Sequence, residues 1–464
     1  MLAAGASGSG KTLITCGLMQ AFTERELAVS SFKCGPDYID SMFQRTVIGE
    51  GAGNLDTFFL SDDAVRHLLE KKAAKGRLSV IEGVMGFYDG LGGVSEEASS
   101  WDIARVAQCP VVLVVNCRGM SLSILPYIKG FWGYKGSKSL IRGVILNQVS
   151  AVLYDKIKAL IEEQIPEVRV LGYVPVLRDF TIESRHLGLV MPKEIPYLKD
   201  RLHALSQQME KTVDIDGLIC LAKSAPPLNP TQDKPDPAVQ EGFEERSDHA
   251  VPLRIAISCD EAFCFWYEDN LDVLRQMGAE LVEFSPLHDR MLPDDIDGLL
   301  LCGGYPELHL PLLSENETMK TDIRTRVEGG LPTIAECGGY MYLCDEIVDQ
   351  DRIPWPCAGV IHTRAYYTGK LSRFGYLSLT TDKTDSLLGR TGTIRCHEYH
   401  YFDTEDNGTA FHAQKPSGGK EWDCVHTNST LWAGFPHLYY YSNLRVPQAF
   451  LRACGKYHKE RKKI

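Results

Sequence analysis

The amino-acid sequence predicts an α/β protein with two large domains, and three observations support this class. Short apolar runs alternate with helical patterns, which is typical of βαβ units and of parallel sheets. A stretch rich in proline, 224–252, separates two such series and disfavours regular helix or sheet. The chain also has 464 residues. A single domain usually takes roughly 100–200 residues.

The first series fills residues 1–223, which we assign to the first domain. Its strands are predicted from short apolar runs bounded by turn residues, and longer amphipathic segments between them predict helices. The clearest segments are the helices 13–22 and 64–72 and the strands 80–81, 111–115 and 143–146. We therefore expect a parallel sheet with helices between its strands.

The second series fills residues 253–454, the second domain, and 224–252 is the linker. Strands are predicted at 253–257, 280–284, 298–301 and 332–335. After about Trp355 the apolar runs become short, aromatic and β-branched, which favours antiparallel pairing. The basic segment 455–464 predicts a solvated, frayed tail.

Composition excludes several classes of function. The 49 Lys and Arg against 61 Asp and Glu give a formal charge of −12, which disfavours general binding to nucleic acid. No apolar run has the length of a membrane helix and no apolar leader opens the chain, so we expect a cytoplasmic protein without a membrane span. The 14 cysteines include no C-x-x-C pair, which favours reduced, buried thiols over a zinc or iron–sulfur site.

The strongest local motif is a phosphate loop, the pattern G-x-x-x-x-G-K-[ST], which runs from Gly5 to Thr12. Its glycines, Gly5, Gly8 and Gly10, let backbone N–H groups close around phosphates. Lys11 would reach the β- and γ-phosphates, and the hydroxyl of Thr12 would bind Mg²⁺. The helical pattern that follows places a helix N-terminus behind the anion. This motif predicts a nucleotide site.

Further residues extend the predicted nucleotide site. Glu82 ends a buried apolar run and precedes a glycine, which is where a metal-holding acid belongs in such a fold. Lys33 and Asp37 flank a rigid Gly-Pro turn. Lys33 could stabilise the negative charge that develops on a transferred phosphoryl group, and Asp37 could be a second metal ligand or bind the substrate. Partitioning and septum-site ATPases carry a second lysine where this chain has Ala6, which favours a ligase over a binding switch.

A second candidate site surrounds a cysteine in the other domain. A predicted strand runs into Cys337, two glycines and a helix, which is the pattern of a nucleophile on a sharp turn. We expect the helix N-terminus to lower the pKa of this thiol. His437 is the candidate base, and the backbone of Gly303, Gly304 and Gly338 could supply N–H groups that bind an oxyanion.

Two other histidines, His397 and His400, compete for the role of base. Their spacing is one residue too short for the H-E-x-x-H pattern of a zinc helix. We therefore expect a substrate-facing or structural role for both residues.

The motifs 5–12, 33–40, 54–57, 82–86, 184–189, 260–265 and 303–308 together resemble the cobyrinate a,c-diamide synthase family. The resemblance covers nearly the whole chain in the order of the family. It implies a phosphate-loop ATPase domain like dethiobiotin synthetase, fused to a class I glutamine amidotransferase domain with a flavodoxin-like α/β fold. It also implies ATP, Mg²⁺, L-glutamine and cobyrinate or a related tetrapyrrole polycarboxylate as the partners.

Carried over by position, Cys337 resembles the nucleophile of the family and His437 the histidine that activates it. Most class I amidotransferases place a glutamate two residues after this histidine, where the present chain has Tyr439, so the resemblance implies a Cys-His dyad. Glu336, before the cysteine, resembles the a,c-diamide synthase branch. Asn147 resembles the asparagine on the adenine side of the nucleotide.

The expected reaction is amidation of the a- and c-acetate carboxylates of cobyrinate through a phosphorylated carboxylate, with ammonia from glutamine. The same chemistry on hydrogenobyrinate or nickel-sirohydrochlorin stays open. The alternative from another class is a phosphate-loop ATPase that acts as a binding switch with a degenerate amidase domain, which the intact Cys337 region disfavours. The assembly state, a homodimer included, is open at this stage.

Overall fold

The computed structural model describes residues 1–73, 78–177, 184–185, 188–228, 252–416 and 418–462. The chain divides into two units, Met1–Lys234 and Pro235–Ile464. The division falls inside the predicted linker 224–252, of which residues 229–251 lie outside the described ranges. Each unit is considered by itself below.

The first unit contains a parallel sheet. Its strands are β1 (Leu2–Ala4), β2 (Val29–Cys34), β3 (Gly53–Leu55), β4 (Leu78–Glu82), β5 (Val111–Asn116), β6 (Ile141–Asn147) and β7 (Arg169–Val174). They pair in the order β3-β2-β4-β1-β5-β6-β7, every pair parallel. The short strands β8 (Ser184–Arg185) and β9 (Gly188–Leu189) form a separate antiparallel pair. The interior strand β5 is mostly valine and buried, because helices cover both faces of the sheet.

Helices pack on both faces of this sheet. They are α1 (Lys11–Glu24), α2 (Ile39–Ile48), α3 (Asp62–Ala73), α4 (Ser100–Ala107), α5 (Ile124–Gly133), α6 (Ala151–Gln164), α7 (Leu198–Thr212) and α8 (Ile215–Lys223). One apolar cluster joins α1 to α7, with Ile14 and Leu205 fully buried. A second cluster joins α5 to α6, with Ile128 and Ile161 fully buried. The predicted strands and helices of this series are therefore confirmed.

The topology places the nucleotide motifs together. The phosphate loop connects β1, near the middle of the sheet, to α1, and β2, β4 and β6 end at the same edge. Lys33 stands near the end of β2, and Glu82 and Asn147 are the last residues of β4 and β6. Ligands of open parallel sheets bind outside the carboxyl ends of the strands. This edge is therefore where a nucleotide site is expected.

The second unit has a parallel core and an antiparallel part. Its strands are β10 (Leu253–Ser258), β11 (Phe263–Phe265), β12 (Ala279–Phe284), β13 (Gly298–Leu301), β14 (Gly303–Gly304), β15 (Thr333–Glu336), β16 (Cys344–Val348), β17 (Pro354–Pro356), β18 (Ile361–Tyr367), β19 (Arg373–Thr380), β20 (Ile394–His400), β21 (Phe402–Thr404), β22 (Phe411–Gln414), β23 (Glu421–Cys424), β24 (His426–Thr427), β25 (Leu431–Gly434) and β26 (His437–Leu438). Its helices are α9 (Glu268–Gln276), α10 (Leu310–Glu315), α11 (Glu317–Glu328), α12 (Gly338–Leu343) and α13 (Arg445–Arg461).

The core sheet has the order β12-β10-β13-β15-β25-β24, in which all pairs except β24 with β25 are parallel. A second sheet, β23-β22-β19-β20-β26, is antiparallel, as the aromatic and β-branched runs after Trp355 predict. Strand β26 carries His437 beside β20, while β15 delivers Cys337 from the core sheet. The candidate cysteine site therefore lies where these two sheets meet.

The basic C-terminal segment differs from the expectation of a frayed tail. Helix α13 continues to Arg461, so most of 455–464 is helical, and residues 463 and 464 lie outside the described ranges. His458 Nδ1 lies 2.8 Å and Arg461 Nη2 3.2 Å from Oδ1 of Asp297, which is buried. A buried carboxylate is costly unless it is paired. This contact therefore holds the last turns of the helix to the unit.

The structure can be compared with two expectations from composition, which concern membrane helices and the state of the cysteines. No helix in the described part of the chain is both long and apolar enough to cross a membrane. All 14 cysteines are outside disulfides, and most of them are buried. Cys220 and Cys259 are exposed exceptions.

Candidate active sites

The phosphate loop has the backbone that its glycines allow. Gly8 and Gly10 have φ angles of 73° and 87°, a left-handed region that residues with a Cβ rarely adopt. Gly10 caps the N-terminus of α1. The ammonium of Lys11 donates to the carbonyls of Met85, at 2.6 Å, and Ala6, at 3.2 Å. The Lys11 side chain thus folds over the loop.

The charge of Lys11 is poorly compensated by its surroundings. Burial and the neighbouring Lys33 ammonium together lower its pKa to about 8, against the opposite effect of the carboxylates nearby. A cation held in this way gains from a bound anion, because the anion replaces lost hydration. The position fits the β- and γ-phosphate contact that the motif predicts.

Glu82 joins the phosphate loop to the end of β4. Its Oε1 accepts a 2.8 Å hydrogen bond from the Thr12 hydroxyl, and its Oε2 accepts one of 2.8 Å from Gln44 Nε2. The side chain is fully buried, which raises its pKa to about 7, although Lys33 and both hydrogen bonds act in the opposite direction. The predicted metal-binding pair, Thr12 and Glu82, is therefore in direct contact.

Lys33 is buried among three carboxylates. Its Nζ lies 2.9 Å from Asp40 Oδ2, 3.6 Å from Glu82 Oε1 and 3.9 Å from Asp37 Oδ2, and it donates to the carbonyl of Gly83 at 2.9 Å. Burial opposes its charge, but the carboxylates outweigh burial and raise the pKa of Lys33. Burial and the charge of Asp40 raise the pKa of Asp37 to about 7. Lys33 is therefore a fixed cation within an acidic cluster.

The oxygens of this cluster are suited to Mg²⁺, which prefers hard oxygen ligands and usually keeps waters and substrate phosphates. Thr12, Glu82 and Asp37, the residues predicted to hold the metal, all belong to the cluster around Lys33. Within the described ranges no group of three His, Cys, Asp or Glu forms a metal site by itself. Nucleotide oxygens would therefore have to complete the coordination. Asp40 and Gln44 are members that sequence reasoning did not assign to the site.

Asn147 and Gly5 take part in the packing around the phosphate loop. Asn147 Nδ2 donates a 2.9 Å hydrogen bond to the carbonyl of Ser9, and a Cβ on Gly10 would lie 2.4 Å from this nitrogen. Asn147 thus contacts the loop backbone, and its role on the adenine side of the nucleotide stays a prediction. A Cβ on Gly5 would lie 1.8 Å from the Tyr127 hydroxyl, so Gly5 permits close packing against α5.

Cys337 occupies the strained turn that the sequence predicts. It lies between β15 and α12 with φ 48° and ψ −105°. A residue with a Cβ adopts such a conformation at a cost of about 1–3 kcal/mol, which the surrounding structure must offset. Its N–H donates to the Gly434 carbonyl at 2.8 Å and its carbonyl accepts from Met341 at 2.9 Å. A Cβ on Gly339 would lie 2.3 Å from the Leu301 carbonyl, which explains the second glycine.

The thiol of Cys337 is held in its neutral form. Burial raises its pKa, the Glu307 carboxylate raises it further, and a backbone hydrogen bond from Gly338 acts in the opposite direction. Burial also raises the pKa of Glu307 to about 7. The expectation of a lowered thiol pKa is therefore wrong. Burial is the largest influence on this thiol, and the helix that follows it has only six residues.

The remaining predicted residues converge on Cys337. A Cβ on Gly303 would lie 2.5 Å from His437 Cε1 and 3.5 Å from Cys337 Cβ. A Cβ on Gly338 would lie 3.2 Å from the Gly304 nitrogen. His437 is buried, as is the cysteine. The structure therefore brings the candidate nucleophile, the candidate base and the three glycines to one place, although they are separated in sequence.

Sequence reasoning missed two neighbours of His437. The carboxylate of Glu336 lies 3.6 Å from His437 Nδ1, and the ring of His397 stacks on that of His437 at 4.9 Å between centroids. Burial lowers the pKa of His397, which favours its neutral form. The sequence held no signal for the contact with His397, because it depends on the pairing of β20 with β26, which places His397 opposite His437.

His400 is part of the packing of the second unit. Its ring stacks on Phe435 with 4.0 Å between centroids, and its Nδ1 lies 2.6 Å from the Phe402 carbonyl. These contacts support the structural alternative over a role as base.

Two chemistries are thus built into one chain. A phosphate loop at the edge of a parallel sheet is suited to phosphoryl transfer. A strained cysteine beside a histidine is suited to attack on an amide. Together they define the class of glutamine-dependent amidating ligases.

Comparison with known proteins agrees with this class and narrows it. Residues 1–190 match the CobQ/CobB/MinD/ParA nucleotide binding domain, and residues 254–443 match the CobB/CobQ-like glutamine amidotransferase domain. The chain is 36% identical over 458 residues to a cobyrinate a,c-diamide synthase of Thermoplasma volcanium, covering 98% of this chain and 97% of that protein. It is 35% identical to the enzyme of that name from Priestia megaterium, covering 100% and 98% of the two chains. The chain belongs to the cobyrinate a,c-diamide synthase family.

Proposed function

We propose that this protein amidates the a- and c-acetate carboxylates of cobyrinate, using ATP and the amide nitrogen of L-glutamine. The single observation that carries the proposal is the presence of two built sites in one chain of this family. The cluster of Thr12, Lys33 and Glu82 lies beside the phosphate loop, and Cys337 lies beside His437 in the other unit. Each site suits one half of the reaction.

The first half makes the carboxylate reactive. An acetate oxygen of the macrocycle attacks the γ-phosphorus of ATP, the bond to the bridging oxygen breaks, and ADP leaves with an acyl phosphate formed. Lys11 and Lys33 carry the positive charge that this transfer needs. Mg²⁺, held by Thr12, Glu82 and Asp37 with the nucleotide oxygens, would neutralise phosphate charge.

The second half supplies the nitrogen. Sγ of Cys337 attacks the side-chain amide carbon of glutamine while His437 takes the thiol proton and passes it to the leaving nitrogen. Ammonia departs, and water then cleaves the thioester to give glutamate. The backbones of Gly304 and Gly338 lie close together beside Cys337, and their N–H groups would bind the developing oxyanion. Ammonia attacks the acyl phosphate, phosphate leaves and the amide is formed.

The raised pKa of the Cys337 thiol agrees with this order of events. A neutral, buried thiol does not react until its proton has an acceptor, so glutamine must bring Cys337 and His437 into line before attack. Such control would limit wasteful release of ammonia. The proposal therefore includes a nucleophile that is activated by its substrate.

The experiment is incubation of the full chain with ATP, Mg²⁺, glutamine and one macrocycle, followed by mass measurement of the product. Cobyrinate should gain two amides, each replacing a carboxyl OH by NH₂. If hydrogenobyrinate or nickel-sirohydrochlorin is amidated and cobyrinate is not, the macrocycle assignment fails. ATP hydrolysis without amidation of any of the three would indicate the binding switch instead.

A further inference from the structure

The acid partner of His437 is the residue directly before the nucleophile. Strands β15 and β25 are parallel neighbours, and their register places Glu336 opposite Gly434. Glu336 is the last residue of β15, and His437 follows β25 by three residues. Both side chains are therefore delivered to the same end of the core sheet. This pairing depends on the adjacency of two strands that are about a hundred residues apart in the chain.

The contacts of Glu336 point to His437. Its Oε2 lies 3.6 Å from His437 Nδ1 and accepts a hydrogen bond from the Leu438 backbone at 3.4 Å. The Glu336 side chain is only 9% exposed and that of His437 3%. Among the ion pairs of the described residues, Glu336 takes part in the one with His437. A carboxylate in such a buried place needs a cation or hydrogen-bond donors, and His437 provides both when it is protonated.

The position that most class I amidotransferases use for the acid is occupied here by Tyr439, which has other contacts. Its hydroxyl donates to Asp269 Oδ2 at 3.1 Å, and its ring packs edge-on against Tyr267. Tyr439 is buried in these contacts. The chain therefore lacks an acid at the usual position and has one at another position close to the same histidine.

We propose that Glu336 is the positioning residue of His437 and converts the expected Cys-His dyad into a Cys-His-Glu triad. Its carboxylate accepts a hydrogen bond from the Nδ1–H group of His437, which leaves Nε2 free of a proton. Nε2 can then take the proton of the Cys337 thiol. When the thiol proton passes to Nε2, Glu336 stabilises the imidazolium until the proton reaches the leaving ammonia. The separation of 3.6 Å is slightly longer than a hydrogen bond, and such contacts commonly tighten when substrate binds.

This inference deepens the proposed function and rests on the glutaminase role of Cys337. Among the described residues, titratable groups that contact or approach His437 include Glu336 at the end of β15, Cys337 on the turn and His397 on β20. Glu336 places a carboxylate beside the imidazole, while the ring of His397 stacks on its face. A carboxylate in this position stabilises an imidazolium, so removal of its charge should shift the pH dependence of glutamate release.

The test measures glutamate release against pH for wild type, Glu336→Gln and Glu336→Asp. The Gln variant should lose about 100-fold in kcat with KM for glutamine changed less than about twofold, because it cannot hold the imidazolium. The acid limb of its kcat/KM profile should move to lower pH. The Asp variant, which keeps the charge, should recover part of kcat. Tyr439→Phe is the matched control and should release glutamate at the wild-type rate.

The proposal is overturned if Glu336→Gln keeps the wild-type kcat and pH profile. It is also overturned if the Gln and Asp variants lose kcat equally and both raise KM, which would indicate a structural role. Cys337→Ala, measured beside them, separates this failure from that of the proposed function. If Cys337→Ala abolishes glutamate release while Glu336→Gln does not change it, the triad fails and the glutaminase assignment stands.

Discussion

The hydroxyl of Thr12 donates a 2.8 Å hydrogen bond to Oε1 of Glu82, which joins the first turn of α1 to the carboxyl end of β4. The contact is partly buried, and Glu82 is at the same time 3.6 Å from the ammonium of Lys33. It links the loop that would hold the phosphates to the acid that would hold the metal. The predictions for Thr12 and Glu82 depend on this contact.

Replacing Thr12 by valine should separate the two activities of the chain. Amidation should fall by about 100-fold with glutamine or ammonia as nitrogen source, because one oxygen ligand and the Glu82 contact are lost. Leaving Glu82 with one hydrogen bond fewer should also cost about 1–3 kcal/mol of unfolding free energy. Glutamate release should continue. Thr12→Ser keeps the hydroxyl and is the control; amidation by the valine variant at the rate of the serine variant would refute the metal role.

Glu82→Gln should change how stability depends on pH. The pKa of Glu82 in the folded protein is raised by burial to about 7, above an ordinary value of about 4.3. The folded state therefore binds this proton more tightly than the unfolded state. The resulting stability is fully present below about pH 4 and is lost as pH rises through about 7.

The Gln variant has no such group, so its advantage in unfolding free energy over wild type should grow between about pH 5 and pH 8. Urea unfolding of both proteins in the absence of nucleotide measures this difference. Amidation by the variant should be lost. At neutral pH the variant should therefore be more stable than wild type and inactive. Parallel pH profiles of the two unfolding free energies would contradict the raised pKa.

Gly303→Ala should damage the cysteine site alone. The added Cβ would lie 2.5 Å from His437 Cε1, closer than real Cβ contacts allow, so the imidazole must move. Glutamate release should fall by about 10-fold or more. Amidation with free ammonia should not change. Gly130→Ala, where a Cβ meets nothing within 4 Å, is the control for the substitution itself. Equal glutamate release by Gly303→Ala and wild type would place His437 elsewhere.

The Cys337 thiol should alkylate slowly in the absence of glutamine. Burial and the charge of Glu307 raise its pKa, and the thiolate is the reacting form. Peptide-resolved alkylation by iodoacetamide at neutral pH should therefore modify exposed Cys220 well before Cys337. Glu307→Gln removes a negative charge and should speed the reaction of Cys337. Faster modification of Cys337 than of Cys220 in the wild type would show that the thiol is already activated.

Local sequence was sufficient for the parts of each site that are continuous in the chain. The phosphate loop from Gly5 to Thr12 and the turn at Cys337 depend on glycine spacing between a strand and a helix, which sequence records directly. The alternation of strands and helices likewise predicted both parallel sheets. These features need no knowledge of distant contacts.

Other features depend on which strands become neighbours, and sequence does not record this. Glu336 lies close to His437 because β15 lies beside β25, so a carboxylate stands next to the expected Cys-His dyad. Burial reversed the expected direction of the Cys337 pKa, because the walls of the site come from several segments. The basic C-terminal segment is helical and is held by contacts of His458 and Arg461 with the buried Asp297. Because Asp297 is far away in the sequence, the sequence did not indicate these contacts.

The central claim is that Cys337 supplies ammonia to a separate synthetase site. The most direct measurement compares amidation by Cys337→Ala and wild type with glutamine or with ammonium salt at high pH as the nitrogen source. The variant should lose glutamine-dependent amidation and keep ammonia-dependent amidation within about twofold of wild type. Amidation by the variant with glutamine at the wild-type rate would contradict the account.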